Sequence, residues 1–111
     1  MNSNAELKAR TEEIRNDIER MVKMCGLTCG SDILDDYLDD AEVEYRTNSS
    51  LEYISAYIYI EAGGPTTWID TYNNTINSSW GNYKASVYLS FDVIELLNNY
   101  FREVYYSTRG L

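Results

Sequence analysis

The first 25 residues place their apolar side chains three or four positions apart, which is typical of one face of an α-helix. That face carries Leu7, Ile14, Ile18, Met21, Val22 and Cys25. Ser3 and Glu6 fit a capping box, and Gly26 is a residue type that commonly ends helices. The pattern therefore predicts a helix over residues 3–25. We expect this helix to pack on the domain's own core, with pairing between two copies as the alternative.

A second helix is predicted over residues 31–41, with Ser31 as its N-cap. Its five aspartates follow helical spacing, which puts all their carboxylates on one outward stripe about 12 Å long. The stripe consists of Asp32, Asp35, Asp36, Asp39 and Asp40. Acids are unfavourable near the negative C-terminal end of a helix. Local helix stability therefore does not explain Asp39 and Asp40, and we expect the stripe to face a partner.

Residues 51–62 alternate between two classes of side chain over their whole length, which is typical of a β-strand. The set predicted to face the core consists of Ile54, Ala56, Ile58 and Ile60. The set predicted to face away consists of Tyr53, Ser55, Tyr57, Tyr59 and Glu61. The break at 63–65 then ends the strand, because glycine and proline interrupt regular structure.

The rest of the chain predicts a strand meander and a closing helix. Alternating segments separated by turn residues occur at about 42–46, 51–62, 66–72, 75–80 and 83–89. Ser90 is placed to cap a final helix over residues 91–106. The order helix, helix, three or four antiparallel strands, helix predicts an α+β fold with two layers. The length of 111 residues predicts a single domain spanning 1–111.

Charge is strongly segregated along the chain. Residues 25–83 hold ten acids and one base, Arg46, whereas the two flanking segments are balanced, so the net charge of −9 lies in the middle. The sequence shows no basic patch, and direct binding of nucleic acid is therefore disfavoured. No apolar run reaches the ~18 residues of a membrane-spanning helix, and the N-terminus lacks the apolar stretch of a signal peptide. We expect a soluble, cytoplasmic protein.

The chemistry of an enzyme or a metal site is poorly represented. The chain has no histidine, and it has no phosphate-binding glycine loop. Its only cysteines, Cys25 and Cys29, have a spacing that matches neither a redox motif nor a zinc knuckle. The aspartates of 31–41 follow helical periodicity rather than the order of a calcium loop. We therefore expect no enzymatic activity, no cofactor and no metal.

An acidic surface rich in tyrosine can imitate nucleic acid, because carboxylates can replace phosphates and tyrosine rings can replace stacked bases. The residues predicted to bind a partner are Asp32, Asp35, Asp36, Asp39, Asp40, Glu42, Glu44, Tyr53, Tyr57, Tyr59 and Glu61. The alternative is an acidic stripe that is only a solvated helix face, with tyrosines packed under a loop or the first helix.

The C-terminal half carries a set of short motifs: Gly63-Gly64-Pro65, Ile69-Asp70-Thr71, Trp80-Gly81, Ser90-x-Asp92 and Tyr100-Phe101-x-x-x-Tyr105. It resembles small acidic proteins carried by phages and conjugative elements of low-GC Gram-positive bacteria. Proteins of that kind include anti-CRISPR and anti-restriction inhibitors, some of which mimic DNA. The resemblance implies an inhibitor that binds a nucleic-acid-binding defence enzyme, such as a CRISPR nuclease.

Two functions are therefore expected from the sequence. The first is a non-enzymatic, anti-CRISPR-like inhibitor in the host bacterial cytoplasm, whose partner is a CRISPR effector or another nucleic-acid enzyme. The second is an immunity or antitoxin protein that neutralises a basic toxin. Either protein could act as a monomer or a homodimer.

Overall fold

The computed structural model describes the backbone of residues 3–38, 41–61 and 64–108, and the side chains of residues 3–23, 41–61 and 64–108. Along the chain, one helix precedes five strands and a second helix follows them. The order is α1 (Asn4–Leu38), β1 (Glu42–Thr47), β2 (Tyr53–Glu61), β3 (Thr66–Asp70), β4 (Thr75–Trp80), β5 (Tyr83–Tyr88) and α2 (Phe91–Thr108).

The strands form one antiparallel sheet in the order β1-β2-β3-β4-β5, in which each strand pairs with the next along the chain. Helix α1 packs against β4 and β5, and α2 packs against β2. The core lies between the sheet and the helices, and its fully buried side chains include Ile18, Ile58, Ile69, Ile76 and Leu97. The predicted α+β fold with two layers is confirmed, with five strands rather than three or four.

Helix α1 is one continuous helix where the sequence predicts two, over 3–25 and 31–41. Gly26, the predicted stop, and Ser31, the predicted N-cap, both lie inside it. A glycine inside a helix costs only about 1 kcal/mol relative to alanine, and unlike proline it still donates its backbone hydrogen bond. Glycine therefore permits a helix end without requiring one. Cys25 and Cys29 also lie in this helix, beyond the last of its described side chains.

Two of the three predicted helix starts, at Ser3 and Ser90, are confirmed by their caps. The backbone N–H of Glu6 donates to Ser3 Oγ at 3.1 Å, and that of Val93 donates to Ser90 Oγ at 3.4 Å. Glu19 of α1 also accepts from the backbone N–H of Ser90 at 2.7 Å, which ties the start of α2 to α1. Burial acts to raise the pKa of Glu19, but the hydrogen bonds from Ser90, with the nearby cations, make the net shift of this pKa downward.

A register shift in β2 moves Tyr53 to the helix face of the sheet, which corrects its predicted position on the other face. Thr47 of β1 pairs with Tyr53 and Arg46 pairs with Ser55, so Ile54 has no partner in the ladder. One extra residue in a strand reverses the alternation beyond it. Tyr53 is accordingly only 8% exposed and Ile54, predicted to face the core, is 37% exposed.

A second register shift does the same for Glu61 at the other end of β2. Tyr59 pairs with Trp68 and Glu61 pairs with Thr67, and Ile60 is skipped. Because Thr67 is on the helix face, Glu61 turns toward α1 and forms an ion pair with Arg10. The predicted outward position of Glu61 is therefore wrong.

A chain of polar side chains runs from this ion pair between α1 and the sheet. Thr67 donates to a Glu61 carboxylate oxygen at 3.0 Å, and the Thr67 hydroxyl lies 3.0 Å from that of Ser78. Ser78 Oγ lies 2.9 Å from Thr11 Oγ1. Thr11, Thr67 and Ser78 are all buried, and their mutual hydrogen bonds offset the cost of burying hydroxyls. The network with Arg10 therefore fixes the position of α1 over the sheet.

Helix α1 also covers the outer edge of β5. Asn4 Oδ1 accepts from the backbone N–H of Lys84 at 3.0 Å, and Arg15 donates to the backbone carbonyl of Tyr88 at 3.4 Å. These side chains occupy both ends of a strand edge that would otherwise offer backbone groups to another strand. Strand β1 forms the opposite edge of the sheet.

Candidate protein-binding face

The sheet face opposite the helices, called the outer face below, carries polar and aromatic side chains at alternate positions of all five strands. Its members in β1 and β2 are Glu42, Glu44, Arg46, Ser55, Tyr57 and Tyr59, and those in β3, β4 and β5 are Thr66, Trp68, Asp70, Thr75, Asn77, Ser79, Lys84, Ser86 and Tyr88. Most of these side chains are exposed or half-buried. A polar face of this kind is available for contact with another molecule.

Two exposed acids lie beside three half-buried aromatic residues at the β1 side of the outer face. Glu42 pairs with Tyr59, Tyr59 pairs with Trp68, and Glu44 pairs with Tyr57. Directly opposed residues in neighbouring strands have Cβ atoms about 5 Å apart. We call these residues, Glu42, Glu44, Tyr57, Tyr59 and Trp68, the acid–aromatic patch. Among the side chains that the structure describes, neither carboxylate of the patch forms an ion pair.

The rings of Tyr59 and Trp68 form a tilted pair at the centre of the patch. Their centroids are 6.3 Å apart, and the ring planes meet at 35°. An open groove of about 400 Å³ adjoins Trp68 and is lined on its other side by polar residues of β4 and β5, including Asn77 and Lys84. The two rings thus offer an aromatic surface next to a space that a side chain of a partner could enter.

The electrostatic environment of Tyr59 reflects the acids beside it. Burial raises the pKa of the Tyr59 hydroxyl, and the charges of Glu44 and Glu42 raise it further, because a tyrosinate would be repelled by the carboxylates. Tyr59 therefore remains a neutral hydrogen-bond donor and a ring with a negative face over an ordinary range of pH. The patch attracts cations through both its charges and its rings.

Asp70 also lies on the outer face, but its carboxylate is used within the molecule. It accepts hydrogen bonds from the backbone N–H groups of Tyr72 and Asn73, at 2.9 and 3.2 Å, and from the Asn73 side chain at 2.7 Å. These bonds stabilise the turn between β3 and β4. We therefore exclude Asp70 from the acid–aromatic patch.

An arginine of the outer face already stacks on a tyrosine. The guanidinium carbon of Arg46 lies 4.3 Å from the centroid of the Tyr72 ring, within the range of a cation–π interaction. Ser55, the pairing partner of Arg46 in β2, is 1% exposed, and its hydroxyl has no hydrogen-bond partner among the described residues.

The structure brings together four of the residues predicted to bind a partner: Glu42, Glu44, Tyr57 and Tyr59. Two other predicted residues lie away from this set. Tyr53 packs in the core and donates to Asn98 at 2.7 Å, and Glu61 pairs with Arg10.

The predicted acid stripe falls largely outside the described residues. Asp32, Asp35 and Asp36 belong to α1, but their side chains are not among those described, and Asp39 and Asp40 lie wholly outside. Four Cα–Cα steps connect Leu38 to Glu42, so the end of α1 lies within about 15 Å of the patch.

Trp68 was not predicted from the sequence. Its alternation with Thr67 and Ile69 indicates a side chain facing away from the core, which was a usable signal. Its position beside Tyr59, however, depends on the register between β2 and β3, and that register includes the skipped residue Ile60.

The described residues include no group of three or more side chains that could hold a metal ion. Within the same part of the chain, neither helix is apolar enough over the required length to cross a membrane. A scan against protein-family models, a search of curated proteins and a search of solved structures each found no match. The fold and the site therefore define an α+β protein whose outer sheet face carries an acid–aromatic patch.

Proposed function

We propose that this protein is a non-enzymatic inhibitor of a bacterial nucleic-acid-binding defence enzyme, such as a CRISPR nuclease. It acts in the host cytoplasm by occupying the basic groove in which the enzyme binds DNA or RNA. The observation that carries the proposal is that the carboxylates of Glu42 and Glu44, which form no ion pair with any described side chain, lie beside the aromatic rings of the outer face.

The mechanism is steric occlusion assisted by charge. The carboxylates of the patch take the place of phosphates against lysine and arginine, and the rings of Tyr57, Tyr59 and Trp68 supply contact area at a low cost in side-chain entropy. The net charge of −9 accelerates encounter with a basic groove at low ionic strength. In the sequence, five aspartates between residues 32 and 40 precede β1 and add to the negative charge of this part of the chain.

The first test is capture of the target from a lysate of a Gram-positive host. The tagged protein is incubated at low salt and at about 0.5 M salt, with and without nuclease treatment, because screening weakens contacts between exposed charges. The proposal expects capture of an identified nucleic-acid-binding enzyme that is released by salt. Capture only through a nucleic-acid bridge, lost on nuclease treatment, contradicts it.

The second test is an order-of-addition experiment with the captured enzyme and its labelled nucleic acid. Inhibitor added first should prevent nucleic-acid binding, and nucleic acid added first should prevent binding of the inhibitor. A ternary complex that contains all three components would show that the inhibitor acts away from the groove, and the occlusion mechanism would be wrong.

Charge-reversal variants locate the interface. Glu42→Lys with Glu44→Lys is expected to weaken inhibition at least ~10-fold, because each reversal replaces an attraction with a repulsion. Asp36→Lys with Asp39→Lys tests the acids of the predicted stripe in the same assay. The matched control changes two exposed acids of α2, Glu95 and Glu103, by the same four units of charge. Equal loss in all three variants would indicate net charge alone and contradict a defined interface.

Capture of a small basic toxin, neutralised at one-to-one stoichiometry, would instead identify an immunity protein. The same patch would serve that role, since it too requires a surface complementary to basic residues. That result replaces the proposed target and leaves the binding face unchanged.

A further inference from the structure

We propose that the acid–aromatic patch binds an arginine side chain of the partner and distinguishes it from lysine. This inference rests on the proposed function, because it names the chemical group through which the basic partner is anchored. The guanidinium would stack on the ring of Tyr59, beside Trp68, and its N–H groups would donate to the carboxylate of Glu42 or Glu44.

The arrangement of the strands supplies both the aromatic rings and the carboxylates of such a site. Glu42, Tyr59 and Trp68 are direct neighbours in three successive strands, so one carboxylate and two rings lie in a single row across the sheet. The next row places Glu44 beside Tyr57. A planar cation lying flat on the rings therefore has a carboxylate within reach at its edge, which satisfies its charge and its hydrogen-bond donors together.

The molecule uses the same contact internally. On the outer face, Arg46 stacks over Tyr72 at 4.3 Å, and on the other side of the sheet Arg102 lies 5.3 Å from the centroid of the Tyr53 ring. Both internal pairs are formed by arginine and tyrosine. Tyr59 and Trp68 offer rings of the same kind, and no cation–π contact occupies them within the described part of the chain.

Arginine fits this site better than lysine for a geometric reason. A guanidinium is planar and can stack on a ring while it donates sideways to a carboxylate, whereas an ammonium is a compact, strongly hydrated point charge. Loss of stacking is expected to weaken binding of a lysine ligand roughly threefold to tenfold relative to arginine. The carboxylates alone would bind both cations similarly.

The direct test uses short peptides and the fluorescence of Trp68. The chain has two tryptophans, so Trp80→Phe leaves Trp68 as the only reporter. Peptides that differ only in two central residues, both arginine, both lysine or both glutamate, are titrated into this variant at low salt. We expect a saturable change with the arginine peptide, weaker binding of the lysine peptide and no binding of the glutamate peptide.

Two sets of variants in the same background separate stacking from charge. Tyr59→Leu keeps apolar bulk without a ring face, and it should bring the arginine-to-lysine affinity ratio close to one. Glu42→Gln with Glu44→Gln should weaken both basic peptides together. The control, Tyr88→Ala, removes a ring that is 75% exposed at the far edge of the same face, and it should leave both affinities unchanged.

Equal affinity for the two basic peptides, or an unchanged ratio in Tyr59→Leu, would overturn this inference. Its failure is distinguishable from failure of the proposed function. If the protein inhibits its enzyme but shows no preference for arginine, the proposed function stands and the proposed arginine site is wrong. If it prefers arginine but binds no nucleic-acid enzyme, the arginine site stands and the proposed function is wrong.

Discussion

Arg10 of α1 forms an ion pair with Glu61 of β2, and the same carboxylate accepts a hydrogen bond from Thr67 of β3. One side chain thus connects the helix layer to two strands of the sheet. The hydrogen bonds from Arg10 lower the pKa of Glu61, and this effect exceeds the opposing effect of burial. The ion pair therefore makes stability depend on pH.

The first prediction concerns acid unfolding. The pKa of Glu61 in the folded protein lies below its ordinary value of 4.5, so the unfolded chain binds the proton more readily. Its stabilising contribution is complete above that value and is lost as the pH falls through the lower folded pKa. Glu61→Gln should lower the free energy of unfolding at pH 7 by roughly 1 kcal/mol. It should also reduce the loss of stability below about pH 4.5, measured by urea unfolding between pH 7 and pH 3.

The control for net charge is Glu13→Gln, which removes an exposed acid from α1, the helix that carries Arg10. A Glu61→Gln protein that loses stability with acid as steeply as the wild type would show that the ion pair with Arg10 is not maintained in solution.

The second prediction compares two buried serines. The Ser55 hydroxyl is buried without a partner among the described residues, whereas the Ser78 hydroxyl lies within hydrogen-bond distance of two threonines. Ser55→Ala should therefore be neutral or stabilising, and Ser78→Ala should cost about 1 kcal/mol, because it removes the hydrogen bonding between Ser78 and two buried threonines. Thermal and urea unfolding of each variant measure the change in the free energy of unfolding. A destabilised Ser55→Ala protein would indicate a hydrogen bond that the structure does not contain.

The third prediction concerns the turn between β1 and β2. Leu51 has a positive φ of 61° and is 59% exposed, a conformation that costs an L-residue about 1 kcal/mol or more. Leu51→Gly should raise the free energy of unfolding by about 0.5 kcal/mol, since relief of strain is partly offset by the entropy of glycine in the unfolded chain. Leu51→Ala keeps the strain and serves as the control. A glycine variant no more stable than the alanine variant would contradict the assigned backbone strain.

The fourth prediction tests the electrostatics of the patch. Glu44→Gln should lower the pKa of Tyr59 toward its ordinary value of 10.0, because the charge of Glu44 is the largest electrostatic cause that raises it. Titration of the Tyr59 ring resonances by NMR measures this shift. Glu103→Gln, an exposed acid on α2, removes the same charge elsewhere. An equal shift in both variants would show that Glu44 does not act locally on Tyr59.

The extent to which the sequence predicts this site is clearest in β2. Tyr57 and Tyr59 lie on the outer face as alternation predicts, because the strand is regular between its two register shifts. Tyr53 and Glu61 lie beyond those shifts, where the alternation reverses. The packing of the neighbouring strands and helices determines which residue of a strand is left without a partner in the ladder. Ile54 and Ile60 carry no local signal that distinguishes them from paired residues.

The sequence by itself determined the α+β fold, the helix starts at Ser3 and Ser90, and the acids and tyrosines of the patch, because caps and periodicity are local properties of the chain. Only the tertiary structure decided that α1 runs unbroken past Gly26, and that Trp68 joins the patch while Glu61 leaves it. These outcomes depend on contacts between residues far apart in the sequence. The energies of such contacts exceed the ~1 kcal/mol preferences of single residues.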